Sequence, residues 1–157
     1  MCIRDRYIAR RVVRFASEDI GLADPTSLMI ANEALNTYRF LGSPEGELAI
    51  AHAVVHLATA PKSNAVYVGF KAAMRAAKDS GSLAPPKHIL NAPTRLMKDI
   101  GYGDGYAYDH NTEDGFSGQN YFPDDMPREQ FYVPQGKGRE KAIRERLEHW
   151  EKLRGIK

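Results

Sequence analysis

The stretch GLADPTSLMIANEALNTYRFLGSP, residues 21–44, is bracketed by the same punctuation at both ends. Gly21 is a helix stop, and Asp24-Pro25 is a helix start, an N-capping carboxylate followed by proline at the first helical position. Gly42 and Ser43-Pro44 repeat the device. Between them Leu28, Ala31, Leu35, Tyr38 and Leu41 recur at three- and four-residue spacing, which predicts a helix with one apolar stripe. Upstream, Ile8, Val12, Val13, Ala16 and Ile20 predict an amphipathic helix from Tyr7 to Ile20. Downstream, Leu48, Ala51, Val54, Val55 and Ala58 predict a third helix from Pro44 to Ala58, halted ahead of Pro61. Ser63 then caps a fourth, with Val66, Tyr67, Phe70, Met74 and Ala77 in register, which runs to Ser80-Gly81-Ser82. Connections this short fold neighbouring helices back on one another. The fold class is therefore all-α, a compact array of helical hairpins with alanine on the faces that approach.

Past Pro85-Pro86 a short helix from Thr94 to Ile100 stops at Gly101, and helical periodicity ends there. Eight of the fifteen aromatic residues lie between Tyr102 and Tyr132, spaced by Gly, Asp, Asn and Pro. Such a stretch has anchors but little regular structure, so it reads as an irregular, aromatic-rich extension that pins rings onto the helical body, with brief strands at Tyr106–Tyr108 and Phe131–Val133. From Gly138 to Leu153 a last amphipathic helix sets Ile143, Leu147, Trp150 and Leu153 against a charged face. The opening hexapeptide MCIRDR matches nothing after it and is set aside as a start-site or assembly scar. The domain reading is residues 1–6 as that scar, 7–100 as the helical domain, 101–136 as the aromatic, acidic cover and 137–157 as the basic last helix.

The chain has 157 residues, 43% hydrophobic and 27% charged, enough for one domain with a core. Its 22 basic and 20 acidic residues leave +2, so any charge-based function is local. A single cysteine, Cys2, excludes an internal disulfide and a Cys-based zinc site and fits a reducing, cytoplasmic setting. No run is long and apolar enough for a membrane span, and no membrane partner is expected.

Chemical motifs are mostly excluded. No window supplies G-x-x-x-x-G-K-[ST], and the glycine-rich Gly101–Tyr106 stretch lacks the dinucleotide spacing. His52 and His56 stand at i and i+4, but the general-base glutamate of H-E-x-x-H and a third ligand are missing, so they read as a boundary pair. Asp109–Asp114 begins like a calcium loop, yet Asn120 stands where a bidentate glutamate is required. No elbow such as G-x-S-x-G marks a nucleophile, and Asp124-Asp125 reads as a turn. The chain is not expected to be an enzyme or to hold a metal or cofactor.

Nucleic-acid contact has two candidate patches. The aromatic segment is not one of them, because residues 99–129 hold eight acidic side chains against Arg128 alone. Arg10, Arg11 and Arg14 form the first patch, and Arg139, Lys141 and Arg144 lead the second, in a segment with eight cations and four glutamates. Lys62, Ser63, Asn64, Asn91 and Arg95 lie in or beside turns, where capping and loop locking are the expected roles.

Three motifs carry a family resemblance: Phe15-Ala16-Ser17-Glu18-Asp19-Ile20-Gly21-Leu22-Ala23-Asp24-Pro25, then Ala60-Pro61-Lys62-Ser63-Asn64-Ala65-Val66-Tyr67, then Asn91-Ala92-Pro93-Thr94-Arg95-Leu96-Met97-Lys98-Asp99-Ile100-Gly101-Tyr102-Gly103. In this order they resemble the C-terminal region of the RarA/MgsA family, whose eukaryotic relatives include the Werner-helicase-interacting protein. The resemblance runs from Tyr7 through Phe131-Tyr132-Val133-Pro134 to the final helix. It implies a fragment of a clamp-loader-like AAA+ ATPase active at stalled replication forks, in recombination and in repair. It also implies that residues 7–100 act like a clamp-loader collar and assemble a homotetramer. ATP and Mg are expected only for an ATPase module that precedes this region, so no Walker or arginine-finger residue carries over. DNA and single-stranded-DNA-binding protein are the implied partners, at the bacterial nucleoid. The alternative reading is a DNA-contacting module that uses the basic patches at 10–14 and 137–157.

Overall fold

The computed structural model describes residues 3–156. Met1 and Cys2, with which the set-aside hexapeptide begins, and Lys157 lie outside the described residues. Six α-helices are present, α1 (Ile3–Phe15), α2 (Thr26–Leu41), α3 (Glu47–Thr59), α4 (Ala65–Ser80), α5 (Arg95–Asp99) and α6 (Glu140–Ile156), with no strand among the described residues. The all-α expectation is met. The chain forms two compact units, one of residues through Ala72 together with Phe131–Arg144, the other of Ala73–Gln130 with Glu145 onward.

In the first unit α1 begins at Ile3, ahead of the start that periodicity marks at Tyr7, and Asp5 in that added turn accepts a hydrogen bond from the Tyr38 hydroxyl (2.9 Å). After Phe15 the helix widens into one π-type turn, Ala16–Ile20, and closes through a 3-10 turn at Gly21–Ala23. Helix α3 starts at Glu47 rather than Pro44. The residues after Ser43 form a turn in which Glu47 N donates to Pro44 O (3.2 Å), while Ser43 Oγ donates to Glu47 Oε1 (2.6 Å).

The helices are where periodicity places them, and of the expected stripes Val12, Ala16, Ile20 and Ala31 are buried, but much of the burial on α2, α3 and α4 falls on other residues. Helix α2 buries Ser27, Ala31 and Ala34, α3 buries Ala53 and Leu57, and α4 buries Ala65 and Gly69. The larger apolar residues of the expected stripes, Leu28, Leu41, Leu48, Val54, Val55 and Phe70, are exposed. Small side chains let helix axes approach closely, so the contact is made through alanine, serine and glycine. The core cluster is accordingly Val12, Ala16, Ile20, Ala31, Ala34, Ala53 and Leu57.

The strands expected at Tyr106–Tyr108 and Phe131–Val133 do not form. A strand needs a neighbour for its backbone groups, and each segment is satisfied otherwise. In the second unit Ala107 N donates to the Gln119 side-chain carbonyl (2.9 Å), whose amide donates to Gly105 O (2.7 Å). In the first unit the chain at 131–132 runs along α4 so closely that a Cβ at Gly69 would lie 2.7 Å from Phe131 O. Glycine in a helix interior costs about 1 kcal/mol against alanine, and this approach is the reason it is there.

The second unit is held by side-chain bridges. Thr94 Oγ1 caps α5 by accepting from Met97 N (3.3 Å), Asp109 Oδ1 accepts from Ser117 N (2.7 Å), and Phe116 stacks on Trp150 with ring centroids 5.6 Å apart. Arg128 pairs with Glu151 (2.7 Å), which also accepts from Arg154.

Candidate interaction surfaces

A polar cluster at the start of α2 comes first, because it joins residue types used in catalysis. Asp24 accepts from Thr26 N (3.2 Å), from the Thr26 hydroxyl (2.5 Å) and from the Ser27 hydroxyl (2.9 Å). His56 of α3 brings Nε2 to 2.9 Å from Asp24 Oδ2 and 3.1 Å from Ser27 Oγ. A hydrolytic triad needs the carboxylate on Nδ1 so that Nε2 is left for the hydroxyl. Here both partners share Nε2 and Ser27 is fully buried, so the cluster is a cap and a latch between α2 and α3. Burial pushes the Asp24 carboxyl up, but the hydrogen bonds from Thr26, Ser27 and His56 outweigh it and hold it below its ordinary value of 3.8. A depressed carboxyl stabilises the fold above the unfolded value and loses that contribution as pH falls through the folded one. Asp24→Asn keeps a capping side chain and removes the charge. It is expected to cost about 1 kcal/mol at neutral pH, with the gap from the parent closing below about pH 4, as urea unfolding over a pH series measures.

His52, the other half of the pair, is exposed, and no group of His, Cys, Asp or Glu among the described residues could hold a metal ion. Of the turn residues, Lys62 Nζ donates to Ala58 O (3.0 Å) and Ala60 O (2.9 Å) at the end of α3. Ser63 is buried and accepts from Ala65 N (3.3 Å), and Asn64 Oδ1 accepts from the Gln135 amide (2.7 Å). Asn91 and Arg95 are exposed in the second unit.

The arginines of α1 do not stand alone. Arg6, Arg10, Arg11 and Arg14 line a groove of about 940 Å³ between α1 and α2, and Arg39 of α2 closes its other side. No acidic residue lines it. Arg14 is paired with Glu18 (2.5 Å), whereas no ion pair of Arg6, Arg10, Arg11 or Arg39 occurs among the described residues. Arg6 belongs to the hexapeptide set aside from the sequence, and Arg39 lies on another helix, so periodicity along α1 gives neither. The second basic patch is separate: Arg139 N donates to Ala23 O (2.9 Å), and the Arg144 guanidinium lies over Gly136. Neither these residues nor Lys141 line the groove.

The third surface is apolar. On α3 Leu48 is 71% exposed and Val55 63%, with Val54, Ala51 and Ala58 beside them. Beside α3 a groove of about 540 Å³ is lined by Ile8, Leu35, Ile50 and Val54, with Tyr38 and the charged Arg4, Asp5 and Glu47 also on its wall. Helix α4 exposes Val66, Phe70 and Met74 in the same manner. No helix among the described residues is long and apolar enough to cross a membrane.

The family described as MgsA AAA+ ATPase C terminal matches residues 4–151. Replication-associated recombination protein A of Coxiella burnetii is 53% identical over 148 residues, which cover 94% of this chain and 34% of that protein. The protein of the same name in Escherichia coli K12 is 45% identical over 142 residues, 90% of this chain and 32% of its own length. ATPase WRNIP1 of Dictyostelium discoideum is 41% identical over 127 residues, 80% of this chain and 14% of its own. The chain thus spans about a third of the length of the bacterial relatives. The match takes in all three motifs, α2 to α5 in full and most of α1 and α6, and the chain belongs to the MgsA AAA+ ATPase C-terminal family.

Proposed function

We propose that this chain is the self-assembly module of a replication-associated AAA+ ATPase and builds a homo-oligomer, up to a tetramer, through the outer face of α3. The observation that carries this reading is the outward placement of Leu48, Val54 and Val55 on a helix that buries only Ala53 and Leu57. Exposed apolar surface of this kind marks an interface, and a second copy is the occupant that fits. Between Glu47 and Thr59 the helix carries no Lys, Arg or further acid, so the same face on two copies meets without like-charge repulsion, as a two-fold contact requires. The groove beside it offers bulky side chains of the second copy an apolar floor of Ile8, Leu35, Ile50 and Val54, with Arg4, Asp5 and Glu47 also on its lining. In this reading ATP and Mg are handled by another part of the protein. DNA and single-stranded-DNA-binding protein are partners of the assembled machine, in the cytoplasm.

Light scattering over a concentration series tests it, with Val55→Asp as the probe. Val55 is exposed, so the variant keeps its circular dichroism, while each two-fold contact acquires two unpaired carboxylates. The expected result is an oligomer that Val55→Asp weakens by about 100-fold. A parent chain that stays monomeric at high micromolar concentration, or an oligomer indifferent to the substitution, overturns the reading.

A further inference from the structure

In the second unit a groove of about 520 Å³ runs between the chain at 88–92 and a wall made by Gly103, Tyr106 and Tyr121. Gly103 N donates to Lys87 O (2.9 Å) and ties the two sides together. The chain at 90–94 is extended: Leu90 has φ −82° and ψ 134°, Thr94 has φ −112° and ψ 158°, and Pro93 confines Ala92 to the same region. Among the described residues Leu90 O and Ala92 N–H make no hydrogen bond. In an extended chain these two groups point the same way, and together they are the acceptor and donor that an added strand takes up. His88 contributes a ring nitrogen, Nε2, that is buried and has no hydrogen-bond partner, which costs free energy until a ligand supplies one. We infer that this groove takes an extended segment of another protein as an added strand, with a basic side chain of that segment against Tyr106 and Tyr121. The site consists of second-unit residues only, so the inference does not rest on the self-assembly reading.

Charge, hydrogen-bonding capacity and shape select this occupant. The 99–129 stretch that carries both tyrosines holds eight acids against Arg128 alone, so it attracts a cation. Lys87, next to His88, is committed to Ile100 O (3.3 Å). Tyr106 and Tyr121 are about half exposed, and a guanidinium or ammonium over such a ring is held by its quadrupole. Leu90 O, the Asn91 side-chain oxygen and a neutral His88 at Nε2 are acceptors, and basic side chains only donate. The His88 ring is 6.0 Å from that of Tyr121 and tilted by 33°, a loose contact from which the imidazole can turn toward an entering N–H. Gly103 keeps the approach to Leu90 clear, since a Cβ there would stand 3.4 Å from Leu90 O. An acidic segment meets like charge here, and a proline has no N–H for Leu90 O. The chain's own basic runs lie on α1 and in the 137–156 stretch, which is anchored on Ala23 and helical from Glu140, so a second copy offers no extended basic segment.

The test is fluorescence anisotropy of a labelled, end-capped peptide, Thr-Val-Thr-Arg-Thr-Val-Thr, with the intact chain. The peptide is expected to bind, and citrulline in place of its arginine to weaken binding about tenfold, because the shape is kept and the charge is lost. Methylating one alternate set of its backbone nitrogens is expected to weaken binding about tenfold and methylating the other set to leave it unchanged, the mark of a strand bonded along one edge. Tyr106→Ala is expected to weaken it about fivefold. Tyr108→Ala, an equally exposed tyrosine outside the groove, is the matched control and leaves it unchanged. The inference is overturned if the parent chain does not bind up to about 1 mM, or if Tyr106→Ala binds as the control does. Equal binding of the citrulline peptide or of both methylated peptides overturns it too, as does tighter binding of a peptide with glutamate or proline in place of the arginine.

Discussion

Gly138→Ala is expected to detach the 131–144 stretch from the helices of the first unit and to cost about 4 kcal/mol or more. Gly138 has φ +52°, a region that costs a side chain about 1–2 kcal/mol by itself. The larger part is steric. A Cβ at this position would lie 2.1 Å from Ala23 O and 2.8 Å from the Pro61 ring, and the first of these is backbone that cannot swing aside. Nor can the chain retreat cheaply, because the next residue, Arg139, donates its N–H to the same Ala23 carbonyl (2.9 Å). Gly81→Ala is the control: its φ is +68°, with nothing within 4 Å, so it reports backbone strain alone. The difference between the two unfolding midpoints measures the collision. Equal shifts for both variants would show that the contact with Ala23 contributes nothing.

Glu140→Ala is expected to cost about 3 kcal/mol, a fall in melting temperature on the order of 8 °C for a chain of this size. Glu140 is fully buried, and its carboxylate accepts from the Tyr132 hydroxyl (2.9 Å) and from Gln135 N (2.9 Å). It also sits at the first turn of α6, where a negative charge meets the helix dipole favourably. Alanine strips the acceptor from two donors at once and leaves a void. Glutamine retains an acceptor and is expected to lose only about a third as much. Tyr132 supplies an independent reading. Burial, and after it the hydrogen bond and charge of Glu140, raise its phenol far above the ordinary 10.0. A group raised on folding stabilises the fold below its unfolded value and loses that contribution as pH climbs toward the folded one, so the parent weakens in strong alkali. In Glu140→Gln this tyrosine is expected to ionise at lower pH, which ultraviolet difference titration against Tyr132→Phe detects.

The sequence makes the helices legible because their punctuation is local. Asp24-Pro25, Ser63 and Thr94 each act within a few residues of themselves, and α2, α4 and α5 start beside them. The buried face is a different matter, since periodicity finds an apolar stripe without saying what it meets. On α3 the stripe through Leu48, Val55 and Ala58 is real and faces outward, while Ala53 and Leu57 make the internal contact. A rule that weights side chains by size selects the wrong face wherever alanines set the helix spacing. The interaction surfaces divide in the same way. The cation run at Arg10, Arg11 and Arg14 is readable along one helix, but Arg39 joins it only through the packing of α2 on α1. His56 likewise pairs with Asp24 and Ser27, across helices, and not with the His52 that spacing offers.

The first unit is discontinuous: it leaves the chain at Ala72 and resumes at Phe131. Its final pieces, the extended run past Gly69, the anchor on Ala23 and the Glu140 bonds, all reside in that second instalment. During synthesis the ribosome therefore delivers α1 to α3 well before the residues that finish their packing. At about 5–20 residues per second the interval from Ala72 to Arg144 is roughly 4–14 s. Through that window the nascent protein presents the outer apolar faces of α3 and α4 together with an uncompleted core, which is a surface that chaperones bind and that premature association between neighbouring nascent chains would also use.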